Sequence, residues 1–150
     1  MNTNILVRHI GITVTDMKQS LKLYKDCFGL EVVWNEIEES EFIDNLSNLE
    51  NVKVHTVKLK DSQGGMIELL HYHSHSALNA ENKINKINKI GCSHFAITVE
   101  NIDELYEKLI SMGIKFNWKP TRHPDDWVKA KVAFCRDYDG TLIELVEELK

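Results

Sequence analysis

Apolar positions along this chain follow two periods, and the change from one to the other is written twice. Residues 5–14 are rich in β-branched side chains and predict a strand. Asp16 then offers a helix cap, with Gln19 three residues on as its reciprocal partner. Met17, Leu21, Tyr24 and Phe28 recur at i, i+4, i+7 and i+11, one apolar stripe of a helix over 16–28. Gly29 is suited to end it in the left-handed conformation. Strands are predicted at about 30–37, 52–60 and 65–72. The second passage starts with a strand at 93–99, and Asn101 caps the next helix with Glu104 at the third position. Ile102, Leu105, Leu109 and Met112 make the stripe over 101–112, and Gly113 closes it. Strands follow at about 114–118, 127–135 and 141–147.

The two passages align in two blocks. His9-Ile-Gly-Ile-Thr-Val14 matches His94-Phe-Ala-Ile-Thr-Val99, and Gly64-Gly-Met-Ile-Glu-Leu-Leu70 matches Gly140-Thr-Leu-Ile-Glu-Leu-Val146. Two matched blocks in the same order argue for duplication rather than chance. The first copy is longer, carrying extra residues at 39–51 between its helix and its last strands. Each copy reads strand–helix–strand–strand–strand, so the expected fold is α+β, with two βαβββ modules in tandem. The boundaries are a first module at 1–75, a linker at 76–91 and a second module at 92–150. The linker is polar and repeats Asn-Lys-Ile three times, which suits a solvated segment. Trp34 and Trp118 fall on equivalent strands and are expected to be packing residues.

Composition narrows the partners. The chain has 150 residues, 43% of them hydrophobic and 27% charged, ordinary values for a globular domain. A net charge of −5 and the lack of a basic run with interleaved aromatics argue against nucleic acid. No apolar run approaches the roughly 18–20 residues that cross a membrane, and the N-terminus lacks a signal-peptide layout. Cys27, Cys92 and Cys135 lack zinc-type spacing and are read as buried free thiols of a cytoplasmic protein.

Duplication also selects candidate chemistry. His9 and Glu68 in the first copy correspond to His94 and Glu144 in the second. Each glutamate interrupts an apolar strand, Met-Ile-Glu-Leu-Leu or Leu-Ile-Glu-Leu-Val, where an ionised carboxylate is costly unless a cation or donor compensates it. Any one of the four alone suits a solvent-facing or hydrogen-bonded role. Together, two imidazoles and two carboxylates suit one divalent ion, Ni, Co, Zn, Mn or Fe(II). The tempting run His71-Tyr-His73-Ser-His75 beside Glu68 is a different matter. On a strand over 65–72, Glu68 shares its face with Met66, Leu70 and Tyr72, whereas His71 points the other way. The histidine run is read as a solvated cluster. Arg122, His123, Asp125, Asp126 and Trp127 form a polar loop around Pro124 that suits either a solvated turn or a pocket mouth.

At residues 9–33, 64–72, 94–116 and 136–147 the chain resembles the vicinal oxygen chelate superfamily, which includes glyoxalases, methylmalonyl-CoA epimerases, extradiol dioxygenases and bleomycin-resistance proteins. The resemblance implies paired modules whose curled mixed sheets share a metal cleft, with His9, Glu68, His94 and Glu144 as ligands. It also implies a small-molecule substrate and a homodimer. The two-His, two-Glu set is most similar to bacterial glyoxalases, then to the epimerases. Both remove a proton next to a carbonyl through a metal-bound enediolate or enolate, which implies a lyase or isomerase. Glu144 is then the expected base, with Glu68 as its counterpart. A non-catalytic binding protein and an Fe(II) dioxygenase are the alternatives. Three positions depart from these relatives: Thr13 and Tyr72 stand where glutathione-using glyoxalases carry arginine and asparagine, and Ser93-His94 stands for the epimerase's double histidine. The resemblance thus implies a chemistry and leaves the substrate open.

Overall fold

The computed structural model describes residues 5–75, 86–88, 90–125 and 127–150. The chain divides into two units, Met1–Ala80 and Glu81–Lys150. Most of the expected linker, residues 76–85 and 89, lies outside the described residues, as does Asp126.

Both units follow the βαβββ order. In the first, β1 (Ile10–Thr13), β2 (Glu31–Glu38), β3 (Val54–Lys60) and β4 (Met66–Tyr72) form a sheet in the order β1-β4-β3-β2. The first strand runs parallel to the last, and the remaining pairs are antiparallel. In the second, β5 (Phe95–Thr98) lies parallel to β9 (Leu142–Glu148), which pairs with β8 (Ala130–Arg136). Two short strands, β6 (Lys115–Phe116) and β7 (Thr121–Arg122), both pair with β8. The two-residue period decides which side chains leave solvent. Ile67 and Leu69 of β4, like Ile143 and Leu145 of β9, are buried on the face that Val57, Leu59, Ala133 and Cys135 share. At roughly 1.5–3 kcal/mol for each fully buried aliphatic side chain, these rows supply much of what holds each sheet to its helix.

Helix α1 (Met17–Leu21) begins as expected, with the Asp16 carboxylate accepting from the Gln19 amide at 3.0 Å. It then widens into a π-helical turn over Lys22–Cys27, where the Phe28 amide donates to the Leu23 carbonyl, five residues back, at 2.9 Å. The widening rotates the apolar face, so Leu23 and Tyr24 are both fully buried although Leu23 lies off the 3.6-residue stripe. Gly29, at φ +76°, ends the turn. Helix α3 (Ile102–Ser111) has Asn101 as its cap and Ile102 and Leu109 fully buried, and Gly113 follows at φ +82°.

Four expectations need correction. The opening strand starts at Ile10 rather than residue 5, and Ile5, Leu6 and Val7 are exposed. Residues 39–51 hold a helix, α2 (Glu41–Ser47), capped by Ser40. The Asp44 carboxylate ties its end down by accepting from the Asn51 and Val52 amides at 2.9 and 2.8 Å. Trp34 and Trp118 are not packing residues, being 47% and 71% exposed: Trp34 stands on an uncovered face of β2, and Trp118 lies in the bend after β6, outside any strand. Among the thiols Cys135 is buried, Cys27 half-buried and Cys92 exposed, because Cys92 precedes β5 rather than lying within a packed strand as Cys135 does.

Candidate functional site

The parallel pairing of first and last strands brings each histidine to its glutamate. Gly11 pairs with Glu68 in register, so His9, two residues earlier on the same face, reaches the carboxylate across the ladder. His9 Nε2 lies 3.2 Å from Glu68 Oε2. The second unit repeats the device with Ala96 against Glu144, and His94 Nε2 lies 3.2 Å from Glu144 Oε2. All four residues expected from the sequence therefore stand as two pairs, one in each unit.

Does this donor set fit a cation? Two donors about 2.1 Å from one metal, at angles between octahedral and tetrahedral, lie roughly 3.0–3.4 Å apart. Both pairs have that spacing, which is also that of a long imidazole–carboxylate hydrogen bond. Among the described residues, no group of three or more His, Cys, Asp or Glu side chains is gathered to hold a metal. Each unit thus offers one imidazole–carboxylate pair.

The two halves differ in their neighbours. Lys58 stands opposite Glu68 in the β3–β4 ladder, and its Nζ lies 3.4 Å from Glu68 Oε1. The same ammonium sits 5.8 Å from the ring centroid of Trp34, its partner on β2. Opposite Glu144 is Phe134, whose ring meets His94 edge-on at 5.2 Å. The imidazoles are also supported differently. His94 Nδ1 lies 2.9 Å from Ser93 Oγ, whereas His9 Nδ1 is buried without a hydrogen-bond partner among the described residues. Lys58 escaped the sequence reading. The criterion that singled out Glu68, an ionisable residue inside an apolar strand, applies to Lys58 as well.

The histidine run behaves as the two-residue period requires. Glu68 meets His9 and Lys58 rather than His71, His73 or His75. His71 instead pairs across the ladder with His55, and His73 stacks near both, with ring centroids 6.3 Å from His55 and 4.6 Å from His71. Burial, then the neighbouring His73 and His71, lowers the His55 pKa below its ordinary 6.5. A cavity of about 510 Å³ opens beside this cluster, lined by His55, His71 and residues of α1 and its π-helical turn. It lies on the opposite face of the sheet from Glu68. In the polar loop of the second unit, Thr121–Arg122 is a short strand and Trp127 is 83% exposed.

Comparison with known proteins agrees with this architecture. The sequence pattern of the Glyoxalase/Bleomycin resistance protein/Dioxygenase superfamily matches residues 6–145. The uncharacterized protein YraH of Bacillus subtilis is 31% identical over 144 residues, covering 93% of this chain and 96% of YraH. A glyoxalase family protein from Bacillus cereus superposes with a TM-score of 0.87 at 23% identity, covering 100% of this chain and 99% of the other. The trypanothione-dependent glyoxalase I of Leishmania major gives 0.66 at 22% identity, covering 97% and 88%. The fosfomycin resistance protein FosX of Listeria monocytogenes gives 0.64 at 16% identity, covering 95% and 93%. A mutant of that FosX has been solved with Mn(II) and a dihydroxypropylphosphonic acid. With its tandem βαβββ units and nearly its whole length matched, the chain belongs to the glyoxalase/bleomycin resistance/dioxygenase (vicinal oxygen chelate) superfamily.

Proposed function

We propose that this protein is a divalent-metal-dependent lyase or isomerase that moves a proton next to a carbonyl in a small molecule. His9, Glu68, His94 and Glu144 would hold the ion, the two pairs coming from one chain or from two copies of it. The observation that carries this reading is the repeated imidazole–carboxylate pair, 3.2 Å apart in both units. When bound, the cation supplies a Lewis acid for the substrate oxygens. Glu144 would take the proton from the carbon beside the carbonyl and later release it to solvent, and Glu68, after taking up a proton from solvent, would return one at the neighbouring atom. His94, with its second nitrogen beside Ser93 Oγ and its ring against Phe134, is held in one orientation next to the base. Thr13 and Tyr72 leave a glutathione adduct without the arginine and asparagine that hold it in the relatives resembled here, so a smaller oxo compound or a thioester is the better substrate class.

One observation favours a second reading. Lys58 compensates Glu68 without any metal, as a protein that only sequesters a small molecule would require. Metal analysis of protein purified without a histidine tag separates the two. About one transition-metal ion per pair of half-sites, lost in His94→Ala, is expected for the enzyme. Protein that stays metal-free in media supplied with Ni, Co, Zn, Mn and Fe would overturn that reading in favour of the binder.

A further inference from the structure

The row of residues crossing the first sheet, Gly11–Glu68–Lys58–Trp34, places an ammonium on the carboxylate assigned above to a metal. Glu68 is largely buried, with 14% of its side chain exposed, and both its oxygens are engaged: Oε2 by His9 and Oε1 by Lys58. Lys58 is itself 33% exposed, and Trp34 flanks its head. The corresponding row of the second sheet, Ala96–Glu144–Phe134, puts an aromatic ring in the place of the ammonium. A cation, the Lys58 ammonium, therefore already sits on one half-site, whereas the residue opposite the glutamate of the other is uncharged.

Resting on the metal reading above, we propose that Lys58 couples metal binding to anion binding, selecting a substrate that carries a carboxylate beside its metal-binding oxygen. The physical reason is charge. An ammonium and a divalent ion on the same largely buried carboxylate repel each other, in surroundings that screen them less than bulk water does. Alone, the metal binds against that repulsion. An anionic oxygen arriving with the substrate meets both cations and removes the penalty, so metal and anion each strengthen the other's binding by the same factor. Gly11 is exposed and has no side chain, so it leaves that flank of Glu68 bare; a Cβ there would sit in van der Waals contact with Oε2 at 3.9 Å. The second half-site, lacking a lysine opposite its glutamate, has no such device.

The test is a titration of the full chain, stripped with chelator, with Mn(II) in the presence and absence of oxalate as the probe anion. Lys58→Met is expected to bind Mn(II) about 10-fold more tightly than the native chain, within the usual range of coupling between sites. Lys58→Arg, which keeps the charge, should bind like the native chain, and Lys58→Gln should follow Lys58→Met. Saturating oxalate should strengthen Mn(II) binding about 10-fold more in the native chain than in Lys58→Met. Neutral variants that bind Mn(II) no more tightly, or an oxalate effect equal in all chains, overturn the inference. If the native chain binds Mn(II) and His94→Ala does not, such a result leaves the metal reading standing. If no chain binds Mn(II), the metal reading falls and this inference with it.

Discussion

The two candidate half-sites share a backbone and differ in their company. In each, a first strand lies parallel to a last strand, and a histidine two residues before the paired position reaches a glutamate at 3.2 Å. In the first unit that glutamate also meets Lys58, and the histidine's other nitrogen is buried without a partner among the described residues. In the second the cross-strand neighbour is Phe134, and Ser93 supports the imidazole. The ladder register decides where donors stand. The residue across the ladder decides what those donors can do, and it is free to change without disturbing the fold. Duplication conserved the scaffold while the chemistry of the halves diverged.

The comparison breaks most readily at the scaffold. Leu69 and Leu145 each follow their glutamate by one residue and are fully buried. Leu69→Ala and Leu145→Ala should each cost about 2–5 kcal/mol in chemical denaturation, the range for burial lost with a cavity left behind. Similar costs sustain equivalent cores. A surface-like cost for one alone would mean the units do not share a packing scheme.

The next effect falls on chemistry. Glu144→Gln should lower turnover by at least ~10²-fold with an unchanged circular dichroism spectrum, the low end for loss of a general base. The assay follows from a screen against hemithioacetals and acyl-CoA epimers. A Glu144→Gln protein with native turnover would move the proton-transfer role to another residue, with Glu68 the first to examine by the same substitution.

Legibility in the sequence followed the range of the interaction. Helix ends are local events: Asp16 with Gln19, Gly29, Asn101 with Glu104 and Gly113 all stand where three- to four-residue signals put them. Strand identity and the face of Glu68 came from the two-residue period, which also separated His71 from the site. What was missed depends on geometry that no short window carries. The π-helical turn at Lys22–Cys27 changes the period inside one element, so Leu23 is buried off the stripe. Lys58 meets Glu68 only through the β3–β4 register, and the repeat concealed it because Phe134 occupies its place in the second copy. Trp34 and Trp118 are expected to pack from places on equivalent strands, yet β6 ends at Phe116 before Trp118, and Trp34 faces away from the covered side of its sheet.

The first unit carries α2 as an insertion with no counterpart among the described residues of the second. Helix α2 buries none of its residues, so its attachment depends on polar contacts, chiefly the Asp44 carboxylate gripping the Asn51 and Val52 amides. Asp44→Ala should therefore cost about 1.5–3 kcal/mol locally, as hydrogen bonds to a charged group do. Hydrogen exchange should show residues 41–52 losing protection while the second unit keeps its own. Equal loss of protection in both units would mean that α2 is integral to the fold rather than appended to it.

The smallest effect separates the units by pH. Three residues before Lys58 and Phe134 on their strands, the first unit pairs His55 with His71, whereas the second pairs Lys131 with Glu147. Burial lowers the His55 pKa below 6.5, and His73 and His71 lower it further. His55 Nε2 also lies 2.7 Å from Asn35 Oδ1, and Lys18, Lys22, Lys25, Asp16 and Asp26 line the adjoining cavity. With the folded-state value depressed, the unfolded chain takes up a proton first as pH falls. The His55 contribution is thus fully present above pH 6.5 and is lost as pH falls from there through the folded-state value, below which the decline ends. Thermal unfolding followed from pH 7.5 to 5.5 should show a fall in Tm that is about 1–2 °C shallower in His55→Gln than in the native chain. A native slope in His55→Gln would place the acid sensitivity of the first unit outside this ladder rung and remove one of the chemical differences between the two copies.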